Sequence, residues 1–191
     1  SSTIIRMNPF RALTVVTIAF AIYSPSLGHA AQSGPHYRHS RLIAAWLPYW
    51  ENKDGAGDGW KAVTNNLGIL DHVSFFEAQV DANTGAIAEK FGATQDNLNQ
   101  QVAKLHVAGI QAFGTVTLMA NVQTLLSNPT ALQTLQDNIV KLVDAHDFDG
   151  VDIDFEDFKD KDPADSQHYT DFINSLSDRL HKRKDLSLIH I

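Results

Sequence analysis

Four short apolar segments, separated by helical patterns, constrain the fold of this chain more than any other feature. Each is rich in Val, Ile, Leu and Phe, and each is followed by polar residues or a turn. We predict strands over 42–47, 72–76, 110–117 and 148–155. Alternation of apolar strands with helices is typical of βαβ units and a parallel sheet.

The segments between these strands carry helix start and stop signals. Asn128 and Pro129 form an N-cap and first-turn proline, and Gly109 ends the helix before the third strand. A complete (β/α)8 barrel needs about 250 residues. The segment 42–185 carries four strands, which is half that number. The predicted fold class is therefore α/β, a (β/α)8 TIM barrel truncated to about its first four βα units.

Composition excludes several classes of function. The 191 residues are 43% hydrophobic and 19% charged, as in an ordinary globular protein, and the net charge of -7 argues against nucleic acid as a partner. Cysteine is absent, so the chain offers no disulfide, thiolate metal site or cysteine nucleophile. The histidines are scattered without the spacing of a zinc site. We expect no cofactor and no metal.

The first 31 residues have the pattern of an export signal with some residues upstream of it. Arg6 and Arg11 precede an apolar run over 12–23, and Gly28-His29-Ala30 supplies small residues where a signal peptidase cleaves. The run is shorter than the roughly 20 residues that span a bilayer. An uncleaved membrane anchor is the alternative. We expect a secreted or cell-envelope protein without a stable membrane anchor after cleavage, with a polar linker over 32–41.

The last six residues, 186–191, read Leu-Ser-Leu-Ile-His-Ile. A common sequencing adapter encodes this hexapeptide when it is translated. We expect it to be an adapter-derived tail, with the natural chain continuing after Asp185. A genuine apolar terminal strand is the alternative.

The fourth predicted strand carries acidic residues in strict alternation with apolar ones. Because side chains of a strand alternate between its faces, Asp152, Asp154 and Glu156 share one side. Buried carboxylates are costly, and barrel enzymes place their chemistry at the carboxyl ends of the strands. The alternatives are a solvated acidic strand or a set of calcium ligands, for which the loop over 157–165 is the better candidate.

The sequence Asp149-Gly150-Val151-Asp152-Ile153-Asp154-Phe155-Glu156 resembles the Asp-Gly-x-Asp-x-Asp-x-Glu signature of glycoside hydrolase family 18. That family includes chitinases, endo-N-acetylglucosaminidases and hydrolases of cell walls or spore cortex. The resemblance covers 42–185, the first half of the family's barrel.

The resemblance implies a substrate and a role for each acid. The substrate would be a polysaccharide of β-linked N-acetylglucosamine, either chitin-like or the glycan of peptidoglycan. Glu156 would protonate the glycosidic oxygen. Asp154 would hydrogen-bond the 2-acetamido group, which acts as the nucleophile of a retaining mechanism, and Asp152 would share a proton with Asp154.

Two features near the other strands bear on this resemblance. Trp46 and Trp50, in the aromatic-rich first strand, are candidate substrate-binding residues, because aromatic planes suit sugar rings; plain core packing is the alternative. Many chitinases carry Ser-x-Gly-Gly at the third strand, where this chain has 114–117, Gly-Thr-Val-Thr. This departure leaves room for the cell-wall branch. A lectin-like member that binds carbohydrate without turnover is the alternative function.

Overall fold

A computed structural model describes residues 42–53, 56–90, 94–158, 163–182 and 187–190. The predicted signal over 1–31 and the linker over 32–41 lie outside these residues. Within the described ranges, none of the helices has both the length and the apolar character required to span a bilayer.

The core of the structure is a mostly parallel sheet. Its strands are β1 (Ala44–Pro48), β2 (His72–Val80), β3 (Ile87–Glu89), β4 (Gln111–Leu118), β5 (Gly150–Phe155) and β6 (Ser187–His190). The order across the sheet is β1-β2-β4-β5-β6, all parallel, while β3 pairs antiparallel with the end of β2. The arrangement is a partial (β/α)8 barrel, as the strand rhythm predicts.

Helices connect the parallel strands. They are α1 (Asp58–Asn65), α2 (Gln95–Val107), α3 (Val122–Leu126), α4 (Pro129–His146) and α5 (Pro163–His181), and a 3-10 turn (Tyr49–Glu51) follows β1. The cap predicted for α4 is confirmed, since the Asn128 side chain accepts a hydrogen bond from the Ala131 amide at 3.1 Å. Gly109 follows α2 with a φ of 69°, the left-handed geometry that ends a helix.

The two faces of the sheet differ in chemistry. Apolar side chains such as Phe75, Val116 and Ile153 are fully buried against the helices. The packing is close here, because a Cβ on Gly114 would lie 2.8 Å from the ring of Phe148, which follows α4, and 3.4 Å from Leu142 of α4. The opposite face carries polar side chains, including Thr115, which is itself buried. The sheet therefore separates an apolar outer layer from a polar barrel interior.

The second strand differs from its prediction. It runs to Val80 rather than ending at Phe76, with a bulge between Phe76 and Ala78, and it turns back into β3. Alternation of side chains does not predict this hairpin, because the bulge shifts the alternation by one residue. The first strand ends one residue later than expected, with Pro48 as its last residue.

The last four described residues form β6, which pairs in parallel with β5 from the register Gly150↔Ser187 onward. This pairing fits the alternative that 186–191 is a genuine terminal strand. The adapter origin of 186–191 stays a prediction.

Candidate active site

The acidic strand begins with a pair of hydrogen bonds between Asp149 and Ala112 that fixes its register. The Asp149 amide donates to the Ala112 carbonyl at 2.8 Å, and the Asp149 carboxylate accepts from the Ala112 amide at 2.8 Å. His106 Nε2 lies 2.9 Å from the same carboxylate. Asp71 makes the equivalent pair of hydrogen bonds with Ile43 at the start of β2. The first Asp of the signature therefore holds β5 against β4, at the end of the strand remote from the mouth.

From this register the acids rise along β5 toward the mouth. Thr115 pairs with Asp152 and Thr117 pairs with Asp154, so both acids share the interior face with these threonines. Asp152 is 1% exposed and Asp154 is 9% exposed. Glu156 follows the strand, is exposed, and is held by a hydrogen bond from its amide to the Leu118 carbonyl at 2.8 Å. One strand thus carries acids from the interior to solvent.

Both hydrogen bonds to the Asp152 carboxylate reach the same oxygen. Trp46 Nε1 donates to Oδ2 at 2.6 Å, and Thr115 Oγ1 donates to Oδ2 at 3.2 Å. The other oxygen, Oδ1, is buried and accepts no hydrogen bond from any residue in the described part of the chain. A buried carboxylate oxygen without a donor is costly unless it carries a proton.

Burial and mutual repulsion change the acidity of the two interior acids. Burial raises the pKa of Asp152 to about 6; its hydrogen bonds with Trp46 and Thr115 oppose this rise, and the charge of Asp154 adds to it. Burial also raises the pKa of Asp154, and the charge of Glu156 contributes. The pair therefore retains a proton at weakly acidic pH, where ordinary aspartates are ionised.

A concave pocket of about 220 Å³ opens at the carboxyl ends of β1, β2 and β4, and none of the three acids is among its lining residues. Thr117, the register partner of Asp154, lies in its wall. Its lining residues are Tyr49, Trp50, Phe76, Glu77, Ala78, Gln79, Lys90, Thr117 and Met119. Aromatic walls beside hydroxyl, amide and charged groups suit a carbohydrate.

The sequence model of the family described as glycosyl hydrolases family 18 matches residues 3–191. This chain belongs to that family. The match covers the acidic strand and the strands on either side of it.

Solved structures of family 18 enzymes share the fold of this chain. A chitinase from Chromobacterium violaceum ATCC 12472 has a TM-score of 0.59 and 20% identity, over 78% of this chain and 45% of that one. The spore cortex-lytic enzyme SleL of Bacillus cereus has a TM-score of 0.59 and 16% identity, over 77% and 34%. A family 18 chitinase from Cycas revoluta, in complex with (GlcNAc)4, has a TM-score of 0.58 and 11% identity, over 77% and 44%.

The chain therefore spans less than half the length of these structures. None of the curated proteins matches it in sequence. The solved structures place the fold within family 18 barrels, and the residues described above supply the detail of the site.

Two tryptophans predicted as sugar contacts occupy different positions in this family 18 chain. Trp46 lies within β1, is half-buried and directs its indole N–H at Asp152. Trp50 lies beyond the strand, in the 3-10 turn, and is 46% exposed. Its ring packs edge-on against Tyr49 at 4.9 Å and Phe76 at 5.8 Å between ring centroids. Trp50 therefore has the exposed face that a sugar contact needs.

Sequence reasoning singled out neither Lys90 nor Met119, which also line the pocket. Lys90 is brought there by the β2–β3 hairpin, its Nζ 6.0 Å from the Tyr49 ring centroid, and the hairpin was itself missed. Glu77 also lies in the pocket wall and is 4% exposed.

The alternative of a metal-binding module finds no support in the described ranges. They hold no group of three or more His, Asp or Glu side chains arranged for a metal ion. Part of the acidic loop over 157–165 lies outside the described residues.

Proposed function

We propose that the barrel containing this chain hydrolyses β-linked N-acetylglucosamine polymers, chitin-like or peptidoglycan glycans, with Glu156 as its general acid. The observation that carries the proposal is the gradient of burial along β5. Asp152 and Asp154 are enclosed with raised pKa values, while Glu156 is exposed at the carboxyl end of the strand. A pocket with aromatic walls opens at the same end of the sheet.

This arrangement fits a retaining mechanism in which the substrate supplies the nucleophile. The acetamido oxygen attacks the anomeric carbon while Glu156 gives its proton to the leaving glycosidic oxygen. The resulting oxazolinium ion is opened by water, whose proton returns to Glu156. The enzyme then needs no second carboxylate as nucleophile.

Asp154 and Asp152 have supporting roles in the same proposal. Asp154 accepts a hydrogen bond from the acetamido N–H and stabilises the positive charge of the oxazolinium ion. Asp152 supplies a proton that the two acids share. Trp46 and Thr115 engage Oδ2 of Asp152, so its other oxygen is the one available for that proton.

The pocket provides the sugar-binding part of the proposal. The exposed Trp50 ring, supported by Phe76, offers a flat apolar surface, and Thr117 and Gln79 offer hydrogen-bonding groups in the same wall. The Cycas revoluta relative is crystallised with (GlcNAc)4, and the Bacillus cereus relative is a spore cortex-lytic enzyme. Both substrate classes are thus found among proteins of this fold.

The test is hydrolysis by an enzyme with a complete eight-stranded barrel that includes this sequence. Glu156→Gln keeps the size of the side chain and removes the acid, so release of reducing ends falls by at least about a hundredfold while oligosaccharide binding persists. Asp157→Asn is the matched control, because it neutralises the adjacent carboxylate and keeps turnover. Equal turnover in Glu156→Gln and the wild type would rule out the assigned role.

A carbohydrate-binding protein without turnover is the second candidate. The observation that favours it is the aromatic pocket around Trp50, which none of Asp152, Asp154 and Glu156 lines. Oligosaccharide binding with no release of reducing ends by the complete barrel would decide for this candidate.

We also propose export of the protein, on the basis of the apolar run over 12–23. Expression in a bacterial host followed by fractionation tests it. The protein is expected outside the cytoplasm, shortened near residue 31, and retention at full length in the cytoplasm would contradict it.

A further inference from the structure

The turn that follows β1 carries Trp50 to the mouth, and a pair of buried amides ties this turn to α2. Asn52 Nδ2 donates to Gln101 Oε1 at 2.9 Å, and Gln101 Nε2 donates to Asn52 Oδ1 at 2.8 Å. Asn52 is 0% exposed and Gln101 is 4% exposed. Each amide therefore uses one donor and one acceptor in a closed, reciprocal pair.

Two glycines fix the same turn from the side of α1. A Cβ on Gly57 would lie 2.2 Å from the Glu51 carbonyl oxygen, and one on Gly59 would lie 2.8 Å from the Glu51 side chain. The start of α1 thus packs directly on the turn. The backbone N–H of Asn52 also donates to the Tyr49 carbonyl at 3.2 Å, which closes the turn itself.

Burying two amides away from water is costly, and the reciprocal hydrogen bonds compensate for the cost only in one geometry. A pair of apolar side chains would fill this space without that directional requirement, since apolar contacts are non-directional. The amide pair consequently specifies the position of the turn in addition to filling the interface between the turn and α2. Neither residue lines the pocket.

We propose that Asn52 and Gln101 are positioning residues, whose reciprocal amide pair holds Trp50 against Tyr49 and Phe76 in the arrangement that binds an N-acetylglucosamine ring. The sugar in this statement rests on the proposed function, whereas the positioning rests on the geometry of the turn alone. The pair preorganises the aromatic wall before substrate arrives, which raises affinity without contact to the substrate.

The first test reads the aromatic wall directly, in the 191-residue chain without ligand. Near-ultraviolet circular dichroism reports the packed Trp50–Tyr49 pair, and subtracting the spectrum of Trp50→Leu isolates its signal from that of the other tryptophans. Gln101→Met keeps the length of the side chain and removes the amide, so the Trp50 signal is expected to be lost while the far-ultraviolet spectrum is kept.

A swapped pair, Asn52→Gln with Gln101→Asn, restores both amides at nearly the same total length and is expected to recover the Trp50 signal. Asn66→Ala is the matched control, because the Asn66 side chain is exposed and bonds only within its own helix end. A Trp50 signal unchanged in Gln101→Met overturns the proposal. Parallel loss of near- and far-ultraviolet signals, with no recovery in the swapped pair, also overturns it.

The second test is titration of the same variants, placed in the complete eight-stranded barrel, with (GlcNAc)4 and with tryptophan fluorescence as the readout. If loss of the amide pair leaves about a tenth of the molecules with the aromatic wall in place, the apparent Kd rises about tenfold. The swapped pair is expected to return it to the wild-type value. An affinity unchanged in Gln101→Met contradicts preorganisation. Absence of binding in the wild type counts against the proposed function, and the dichroism still decides the positioning claim.

Discussion

Asp152 should make this protein less stable as the pH rises, and a single substitution tests this. Its pKa moves from 3.8 in the unfolded chain to about 6 in the fold, mainly through burial. A folded-state pKa above the unfolded value means that the folded state holds the proton more tightly. The stabilising effect is complete below pH about 4 and is lost as the pH rises through about 6. Two pKa units correspond to about 3 kcal/mol of unfolding free energy.

Asp152→Asn keeps the shape of the side chain and an oxygen to accept from Trp46, but it never ionises. Relative to the wild type it should gain up to about 3 kcal/mol between pH 4 and pH 7, because only the wild type must bury a charge there. Urea unfolding at a series of pH values, followed by far-ultraviolet circular dichroism, measures the difference. Titrating groups that do not interact with Asp152 are common to both proteins and cancel, and Asp154→Asn in both backgrounds removes the one carboxylate that does interact with it. Parallel pH profiles for the two proteins would refute the burial argument.

Three further predictions, two on the supports of the site and one on the packing of the fold, are tested by urea unfolding. Trp46→Phe removes a donor to the charged form of Asp152, so the pH midpoint of the stability loss should rise by about one unit or more; an unmoved midpoint would show that the hydrogen bond is unimportant. Asp149→Ala should lower the free energy of unfolding by about 1–3 kcal/mol, because it leaves the Ala112 amide without its acceptor, and Asp149→Asn should lower it less. Equal losses in the two variants would contradict a role for this hydrogen bond. Gly85→Ala should cost more than about 2 kcal/mol, because its φ is 70° and its Cβ would lie 1.9 Å from a carbonyl oxygen of α4, whereas Gly68→Ala meets no neighbour and should change stability by less than about 0.5 kcal/mol.

The parts of the fold that sequence could predict are those set by short-range periodicity. The alternation over 148–155 predicted that Asp152 and Asp154 share a face, and the register with Thr115 and Thr117 places them on one face. The cap at Asn128 was visible for the same reason, since its hydrogen bond spans three residues.

The remaining features depend on residues that are distant in sequence. The Trp46–Asp152 hydrogen bond joins positions 106 apart, and the Asn52–Gln101 pair joins positions 49 apart. No local pattern encodes such contacts, because they follow from the register between parallel strands and the packing of helices on them. Asp149, the first Asp of the signature, shows the same limit, because its hydrogen bond with Ala112 forms only when β4 and β5 lie side by side.

The central claim is that Glu156 protonates the leaving oxygen while the sugar's own acetamido group is the nucleophile. Proton NMR of the first products, formed from N-acetylated chitooligosaccharides by the complete barrel, tests it most directly. The account predicts that the β-anomer appears first and then mutarotates, and that fully deacetylated oligosaccharides are not cleaved. Initial release of the α-anomer, or equal cleavage of the deacetylated substrate, would contradict it.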